Sequence, residues 1–182
     1  MLRIIGGTWR GRTWRFPEGD IRPTPDRVRE TLFNWLAPQI AGTRCLDLFA
    51  GSGALGLEAL SRGAAQVVFV EQSAEPVREL RKTVALWGEP AAAAQIHLMD
   101  ATAFLAGRHE PFDVVFLDPP FAAGLLSRVA AQLESGHWLR PGALIYAECP
   151  AREGLPPLPA SWGAAKTGRA GEVGYHLLRR TP

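Results

Sequence analysis

The sequence predicts an α/β protein with a Rossmann-like, doubly wound and mostly parallel sheet. Short apolar runs alternate with helical segments from about residue 44 onward, and this alternation requires parallel strands joined by crossover helices. The last two apolar runs have no helical segment between them, so we expect an antiparallel hairpin at the carboxyl-terminal edge of the sheet. A chain of 182 residues is long enough for one compact domain with a single core.

The amino-terminal segment precedes this sheet. Residues 4–16 contain three glycines and predict a short curved hairpin or arm. A helix then follows Thr24 and Pro25, with Thr24 expected as the N-cap and Pro25 in the first turn. We therefore divide the chain into an arm and helix over residues 1–36 and an α/β domain over residues 37–182, packed together as one unit.

The first helix is expected to run to Leu36 and to pack on the core through one face. Val28, Leu32 and Trp35 recur at helical spacing and define that face. Arg27 and Arg29 are therefore expected to point away from the core.

The remaining elements follow from the position of apolar runs and of helix-stop residues. Ser73 favours a helix start, and Gly88 favours a helix end. Predicted strands cover residues 45–49, 67–70, 95–99, 112–117 and 143–149, with hairpin strands over 162–166 and 173–178. Predicted helices in the sheet region cover residues 54–61, 74–87, 101–105 and 125–133.

Composition excludes several classes of protein. No apolar stretch approaches the roughly 20 residues of a membrane helix, and the start lacks the pattern of a signal peptide, so we expect a cytoplasmic protein. Cys45 and Cys149 both fall in predicted strands, which indicates buried free thiols. The histidines and cysteines show no metal-ligand spacing, so no metal site is expected.

Positive charge is concentrated at the amino end. Residues 1–36 hold seven arginines against four acids, whereas the whole chain has a net charge of only +2. These arginines are interleaved with Trp9, Trp14 and Phe16, and arginine with aromatic rings is suited to phosphates and stacked bases. If the charge distribution is considered by itself, ordinary solvated arginines on the protein surface are the simpler interpretation.

A glycine-rich loop follows the first strand of the predicted sheet. Residues 51–56 match the dinucleotide pattern G-x-G-x-x-G, and Glu71 follows about 20 residues later, as in NAD-binding proteins. However, Asp47 lies four residues before the first glycine, where a pyrophosphate would be repelled. The chain also leaves no room for a separate substrate domain.

S-adenosylmethionine fits these residues better than NAD, because it has an ammonium group and no phosphate. Asp47 would balance the ammonium, Glu71 would accept both ribose hydroxyls, and Asp100 would accept from the adenine amino group. Glycine lets the backbone approach the cofactor closely. The predicted cofactor site comprises Asp47, Phe49, Gly51, Ser52, Gly53, Glu71, Gln72, Asp100 and Ala101.

Asp118-Pro119-Pro120-Phe121 follows the apolar run of residues 112–117. Two prolines cannot continue a strand ladder, so the chain leaves the sheet at its carboxyl end, where open α/β sheets bind ligands. The Asp118 carboxylate and the Pro119 carbonyl both accept hydrogen bonds, which suits an NH2 group, and the Phe121 ring suits stacking on a base. These four residues are the predicted catalytic segment.

With both motifs placed, the chain resembles the class I methyltransferases, and more narrowly the bacterial family that methylates a guanine N2 of small-subunit ribosomal RNA. The glycine-rich loop and the Asp-Pro-Pro-Phe segment indicate only the class, whereas the amino-terminal block is specific to the family. The matching residues are Arg3-Ile4-Ile5-Gly6-Gly7, Trp9-Arg10-Gly11-Arg12, Arg22-Pro23-Thr24, residues 26–34, Leu46-Asp47-Leu48-Phe49-Ala50-Gly51-Ser52-Gly53, Asp118-Pro119-Pro120-Phe121, Ala170-Gly171 and Tyr175.

The resemblance implies methyl transfer from S-adenosylmethionine to the exocyclic amine of guanine(966) in 16S ribosomal RNA, within the small subunit or an assembly intermediate. It implies that Asp118 and Pro119 hold the amine and that Phe121 stacks on a base splayed out of its helix. The residues expected to contact RNA are Arg3, Arg10, Arg12, Arg15, Arg22, Thr24 and Arg27.

Three alternatives stay open at this point. Similar segments grip the amino groups of DNA adenine or protein glutamine, so the acceptor could differ within the same fold. A small NAD-dependent reductase would bind nicotinamide instead of S-adenosylmethionine. A non-catalytic RNA-binding or assembly factor would keep the fold but would not need Asp118.

Overall fold

The computed structural model describes the whole chain except residues 18, 20–22, 89–92 and 109. The strands of the described part are β1 (Leu2–Arg3), β2 (Thr13–Trp14), β3 (Arg44–Asp47), β4 (Gln66–Glu71), β5 (Ala94–Leu98), β6 (Phe112–Leu117), β7 (Leu139–Pro150), β8 (Trp162–Ala170) and β9 (Val173–Arg180). The helices are α1 (Asp26–Leu36), α2 (Ala54–Ser61), α3 (Ala74–Leu86), α4 (Ala101–Phe104) and α5 (Leu125–Ser135).

Seven strands form one sheet in the order β5-β4-β3-β6-β7-β9-β8. The strands from β5 to β7 are parallel, and β9 and β8 add an antiparallel hairpin beyond β7. This arrangement confirms the predicted fold class. Because the chain proceeds from β3 to β4 on one side and later to β6 on the other, the topological switch point lies between β3 and β6.

Most predicted elements are observed, some with different bounds. Helix α2 and strand β6 have the predicted limits, but β7 begins at Leu139, four residues before the predicted start. Pro141 and Gly142 lie within this extension of the strand. The pairing of β6 with β7 contains a register shift between Phe112 and Val114, and this irregularity accommodates the proline within the longer strand.

Thr24 does not cap α1, contrary to the prediction. The helix begins after Pro25, whose carbonyl accepts the Arg29 N–H at 3.0 Å, and no side chain caps its first turn. The Thr24 hydroxyl lies 3.1 Å from Glu148 Oε1 on β7 instead. A long-range partner therefore outcompetes the local backbone for this hydroxyl.

Arg29 is fully buried, so the prediction that it points away from the core is wrong. Its guanidinium lies 2.5 Å from Asp26 Oδ1 and 3.6 Å from Glu58 Oε2, and it donates to the Arg3 carbonyl at 2.9 Å. These partners compensate the desolvation of the cation. Helical spacing could not reveal this arrangement because Glu58 belongs to another helix.

The amino-terminal arm packs along α2 and is held by the same carboxylate. The backbone N–H groups of Ile5 and Gly6 donate to the two oxygens of Glu58 at 3.0 and 2.9 Å. Further along, the Thr8 N–H donates to the Ser61 carbonyl at 2.8 Å, at the end of α2. Strands β1 and β2 pair antiparallel, as expected for a short hairpin.

Apolar packing on both faces of the sheet includes the arm. Trp9 and Trp14 are buried, and their rings meet Trp87, next to the end of α3, with centroid separations of 5.0 and 5.7 Å. Cys45 and Cys149 are buried free thiols, as predicted. In the described residues, no helix has the length and apolar character needed to cross a membrane.

Candidate active site

The carboxyl ends of β3 and β6 form the switch-point crevice. Asp47 is the last residue of β3, and its register partner on β6 is Phe116, two residues before Asp118. A cavity of about 60 Å³ opens between them. Its lining includes six residues that the sequence predicted as site residues, namely Thr24, Asp47, Phe49, Gly51, Ser52 and Asp118.

The glycine-rich loop turns tightly beside this cavity. Gly53 has a positive φ of 79°, and a Cβ atom there would lie 2.5 Å from Leu80 Cδ1 of α3. A side chain at this position would therefore meet both backbone strain and a steric clash. The loop can approach a ligand with bare backbone, as the predicted cofactor role requires.

Asp47 is almost completely buried at the base of the loop. Its Oδ2 accepts the Gly56 N–H at 3.0 Å. Burial, against the opposing Gly56 hydrogen bond and with a smaller contribution from the nearby Glu71, raises the pKa of Asp47 to about 7. A cationic group bound beside Asp47 would favour its ionised form, so this carboxyl fits an ammonium better than a pyrophosphate.

Glu71, at the end of β4, supports the glycine loop. Its Oε2 accepts the Gly51 N–H at 2.8 Å and its Oε1 accepts the Ser73 N–H at 2.9 Å. Each oxygen keeps a lone pair, so the predicted contact with two ribose hydroxyls is compatible with these bonds. The next residue, Gln72, is exposed.

Asp100 is the N-cap of α4, which Ala101 begins as a buried residue. The Asp100 carboxylate accepts the Ala103 N–H at 3.1 Å and the hydroxyl of Thr102. The Thr102 and Ala103 hydrogen bonds lower the pKa of Asp100, which keeps it ionised. Because Asp100 is exposed, it can still accept a hydrogen bond from a ligand.

The Asp118-Pro119-Pro120-Phe121 segment leaves β6 in a turn closed by the Ala122 N–H, which donates to the Pro120 carbonyl at 2.7 Å. Pro119 is buried, whereas the Phe121 side chain is 56% exposed. Phe121 does not line the cavity, but it follows the cavity residue Asp118 by three positions, and its exposed ring is available for stacking. Burial, then Glu148 and Asp47, raise the pKa of Asp118 well above its usual range.

Sequence reasoning missed three residues at the site. Glu148 and Tyr146 lie on β7 behind Asp118, and the Tyr146 hydroxyl donates to Glu148 Oε1 at 2.7 Å. Trp14 donates from its indole Nε1 to the carbonyl of Ser52 at 3.0 Å. The acid in the otherwise apolar run of β7 was a signal that could have identified Glu148.

The predicted RNA-contacting arginines are spread over a wide surface. Arg3, Arg10, Arg12, Arg15 and Arg27 are all exposed, Thr24 lines the cavity, and Arg22 lies outside the described residues. The Arg12 guanidinium lies 6.0 and 5.8 Å from the ring centroids of Trp9 and Trp87.

Arg10 and Arg12 belong to the end of the arm that contacts Ser61. Eight helical residues separate that end of α2 from the glycine loop, a distance of about 12 Å. Arg15 follows Trp14, which contacts the loop directly, and Arg27 follows the cavity residue Thr24 by three positions. Arg15 and Arg27 therefore each lie within three residues of a residue that lines the cavity or contacts its loop.

Comparison with known proteins identifies the family. The sequence profile of the family described as conserved hypothetical protein 95 matches residues 2–179. Ribosomal RNA small subunit methyltransferase D of Escherichia coli K12 is 48% identical over 180 residues, which is 98% of this chain and 90% of the relative. The chain belongs to the ribosomal RNA small subunit methyltransferase D family. This membership confirms the resemblance predicted from the sequence.

Other members of the methyltransferase D family agree with this assignment. The Haemophilus influenzae member is 43% identical over 183 residues, covering 98% of this chain and 93% of the relative. The solved structure of the E. coli methyltransferase candidate yhhF has a TM-score of 0.92 and 47% identity, and covers 99% of this chain and 98% of that one. Membership of this family favours methyl transfer over the alternative of hydride transfer.

Metal ligation was not expected for this chain. Among the residues that the structure describes, no group of three or more histidine, cysteine or acidic side chains is arranged to hold a metal ion.

Proposed function

We propose that this methyltransferase transfers a methyl group from S-adenosylmethionine to the exocyclic N2 of a guanine in 16S ribosomal RNA, at position 966 by resemblance. The observation that carries the proposal is the proximity of the glycine-rich loop and Asp118 across the switch-point cavity. The family relatives named for the small ribosomal subunit support the choice of RNA.

The cofactor would be held by residues at the ends of β3, β4 and β5. Asp47 would balance its ammonium, the backbone at Gly51, Ser52 and Gly53 would approach it, and Glu71 would accept from its ribose. Asp100 would accept from the adenine amino group, with Phe49, Gln72 and Ala101 beside it. When bound, the cofactor supplies an electrophilic methyl group, whose carbon–sulfur bond breaks as the carbon–nitrogen bond forms, with the electron pair returning to sulfur.

Asp118 and Pro119 would orient the guanine amino group. A guanine N2 is a weak nucleophile because its lone pair is delocalised into the ring. Hydrogen bonds from N2–H to the Asp118 carboxylate and the Pro119 carbonyl would favour a pyramidal nitrogen, so catalysis rests mainly on positioning and electrostatics. Phe121 would stack on the base, and the exposure of its ring is consistent with this role.

The RNA would contact the exposed arginines Arg3, Arg10, Arg12, Arg15 and Arg27, together with Arg22 and Thr24.

Reversing the charge of both Arg15 and Arg27 should weaken RNA binding by about tenfold or more at 0.1 M salt. It should also reduce the slope of log K against log salt by roughly 0.7–0.9 for each phosphate that is no longer neutralised. Filter binding or fluorescence anisotropy over a range of salt concentrations measures both effects.

Arg108→Glu is the control for this experiment, because Arg108 is exposed and precedes β6 at the amino ends of the parallel strands, opposite the cavity. Cofactor affinity should be unchanged in both proteins. The control makes half of the charge change of the double variant, so a loss of RNA-binding free energy that is half as large would show that the effect reflects net charge alone.

The Trp14–Ser52 hydrogen bond should contribute to cofactor binding. In Trp14→Phe the Ser52 carbonyl loses its donor, which costs about 1 kcal/mol of loop order that cofactor binding must then restore, so the dissociation constant for S-adenosylmethionine should rise by up to roughly fivefold. Isothermal titration calorimetry measures this change. Trp9→Phe alters the same aromatic cluster and should leave cofactor affinity unchanged; equal losses in both variants would contradict a specific role for Trp14.

The experiment that tests the proposed function is methyl transfer from labelled S-adenosylmethionine to small ribosomal subunits that lack the modification. We expect N2-methylguanosine at a single site after nucleoside analysis. DNA and protein are offered in parallel reactions, and labelled adenine or labelled glutamine with no labelled ribosomal RNA would instead identify another amino-group acceptor.

A further inference from the structure

Glu148 lies directly beside Asp118 on the neighbouring strand. In the parallel pairing of β6 with β7, Phe116 faces Tyr146 and Leu117 faces Ala147, so the next pair is Asp118 and Glu148. Adjacent strands are about 4.8 Å apart, which brings the two carboxyl groups within hydrogen-bonding reach. Glu148 is only 6% exposed, so a second acidic group is buried behind the one that faces the cavity.

Two hydroxyl groups hold Glu148 in place. Tyr146 is two residues earlier on the same face of β7 and donates to Glu148 Oε1 at 2.7 Å. The Thr24 hydroxyl lies 3.1 Å from the same oxygen and 3.5 Å from Asp118 Oδ2, so it can donate to either carboxyl group. The chain thus arranges hydrogen-bond partners around Glu148, although an apolar residue would fill the same space in β7 at lower desolvation cost.

The surroundings of the pair contain acids and hydroxyl groups. Asp47 faces Asp118 from the end of β3, Glu148 and Tyr146 face it from β7, and Tyr175 lies nearby on β9. Two carboxylates so close together disfavour their joint ionisation, and burial adds to this effect. The raised pKa of Asp118 is consistent with that geometry.

We propose that Glu148 is a positioning residue that makes Asp118 a stronger proton acceptor, so that the two carboxylates together take up the proton released by the methylated amino group. This inference rests on the proposed function for the identity of the amino group. Glu148 would thus affect the reaction without contacting the guanine amino group, because Asp118 lies between them.

The proton moves from nitrogen to oxygen without any further reactant. The reactive form is the one in which both carboxylates are ionised, which rising pH populates, and in it one Asp118 oxygen accepts the N2–H hydrogen bond. Once the carbon–nitrogen bond has formed, the N–H bond breaks and an O–H bond forms on Asp118, leaving one proton shared by the pair. The pair then returns that proton to water. A general base is most effective when its pKa lies near the working pH, which an isolated aspartate does not satisfy.

Glu148→Gln tests this role, because glutamine keeps the shape and an oxygen for Tyr146 and Thr24 but removes the negative charge. We expect kcat at high pH to fall about tenfold with little change in the KM for cofactor, because Asp118 becomes a weaker base. We also expect the acidic limb of the kcat–pH profile to move to lower pH. Glu153→Gln, at an exposed acid beyond β7, should change neither quantity.

Tyr146→Phe is a second variant, for which we expect the acidic limb of the kcat–pH profile to move in the opposite direction. It keeps both carboxyl groups but removes a hydrogen bond that stabilises the ionised pair. The acidic limb should therefore move to higher pH. Acidic limbs that coincide in wild type, Glu148→Gln and Tyr146→Phe would overturn the proposal, even if kcat falls in both variants.

Thermal unfolding at several pH values provides a readout that needs no substrate. Because the folded-state pKa of Asp118 is raised, its protonation stabilises the fold below the unfolded-state pKa, and this contribution is lost as pH rises through the folded-state pKa. Glu148→Gln should therefore gain stability relative to wild type as pH rises. Asp47 is present in both proteins, so its contribution to the pH dependence cancels when the two Tm values are subtracted. A difference in Tm that does not change with pH would also overturn the proposal, whereas absence of N2-methylguanosine with the wild-type enzyme would overturn only the proposed function.

Discussion

Asp118→Ala is expected to abolish methyl transfer while cofactor affinity stays within a few-fold of wild type. The substitution removes the acceptor that would orient the guanine amino group and the base that would take its proton. Together these contributions predict a loss of at least about 10²–10⁴-fold in kcat. Single-turnover methyl transfer and calorimetry with S-adenosylmethionine measure the two quantities separately.

Asp118→Asn is the informative companion to this variant. It keeps a carbonyl acceptor beside Glu148 but cannot take up a proton, so its activity should fall between those of alanine and wild type. An alanine variant that retained most of its activity would contradict the assigned role. It would also favour a function in which the fold binds RNA without catalysis.

Glu58→Ala is expected to lower the free energy of unfolding by about 3–5 kcal/mol. The carboxylate of Glu58 accepts from Ile5 and Gly6 and lies 3.6 Å from the buried guanidinium of Arg29. Its removal leaves a buried cation with less compensation and two backbone donors without their acceptor. For a chain of this length the loss corresponds to a fall in Tm of roughly 6–20 °C.

Glu30→Ala serves as the control, because Glu30 is an exposed acid on α1. Its unfolding free energy should change by less than about 0.5 kcal/mol. Circular dichroism with urea or heat gives both values. If the two variants unfolded alike, the ion cluster around Arg29 would contribute no net stability, and attachment of the arm would depend on its tryptophans.

The sequence was sufficient to predict the sheet and the edge of the sheet at which three of the candidate site residues meet. Parallel strands are buried on both faces, so β4 and β6 each contain four consecutive apolar residues, 67–70 and 114–117, that stand out from their surroundings. Topology brings together the carboxyl ends of β3 and β6, so Asp47, Gly51 and Asp118 all line one cavity. Where a strand is marked by an apolar run of this kind, the sequence alone is sufficient to predict it.

The wrong predictions concern side chains whose partners are distant in the chain. Arg29 on a helix surface is ordinarily solvated, and only the folded chain brings Glu58 to it. Thr24 has the features of an N-cap, but its hydroxyl meets β7. Glu148 was not identified because its role depends on the register of β7 against β6, which hydrophobic pattern does not specify for a strand buried on both faces.

The contact between Thr24 and Glu148 also bears on how the protein folds. It joins residues 124 positions apart, and one of them, Thr24, lines the cavity. Contacts of such high sequence separation form late, because the entropy of closing the intervening loop must be overcome first. During synthesis, Asp118 and the glycine loop emerge before β7 does, so a nascent chain would carry an incomplete cavity. Competence for the reaction would thus be acquired only after β7 has left the ribosome.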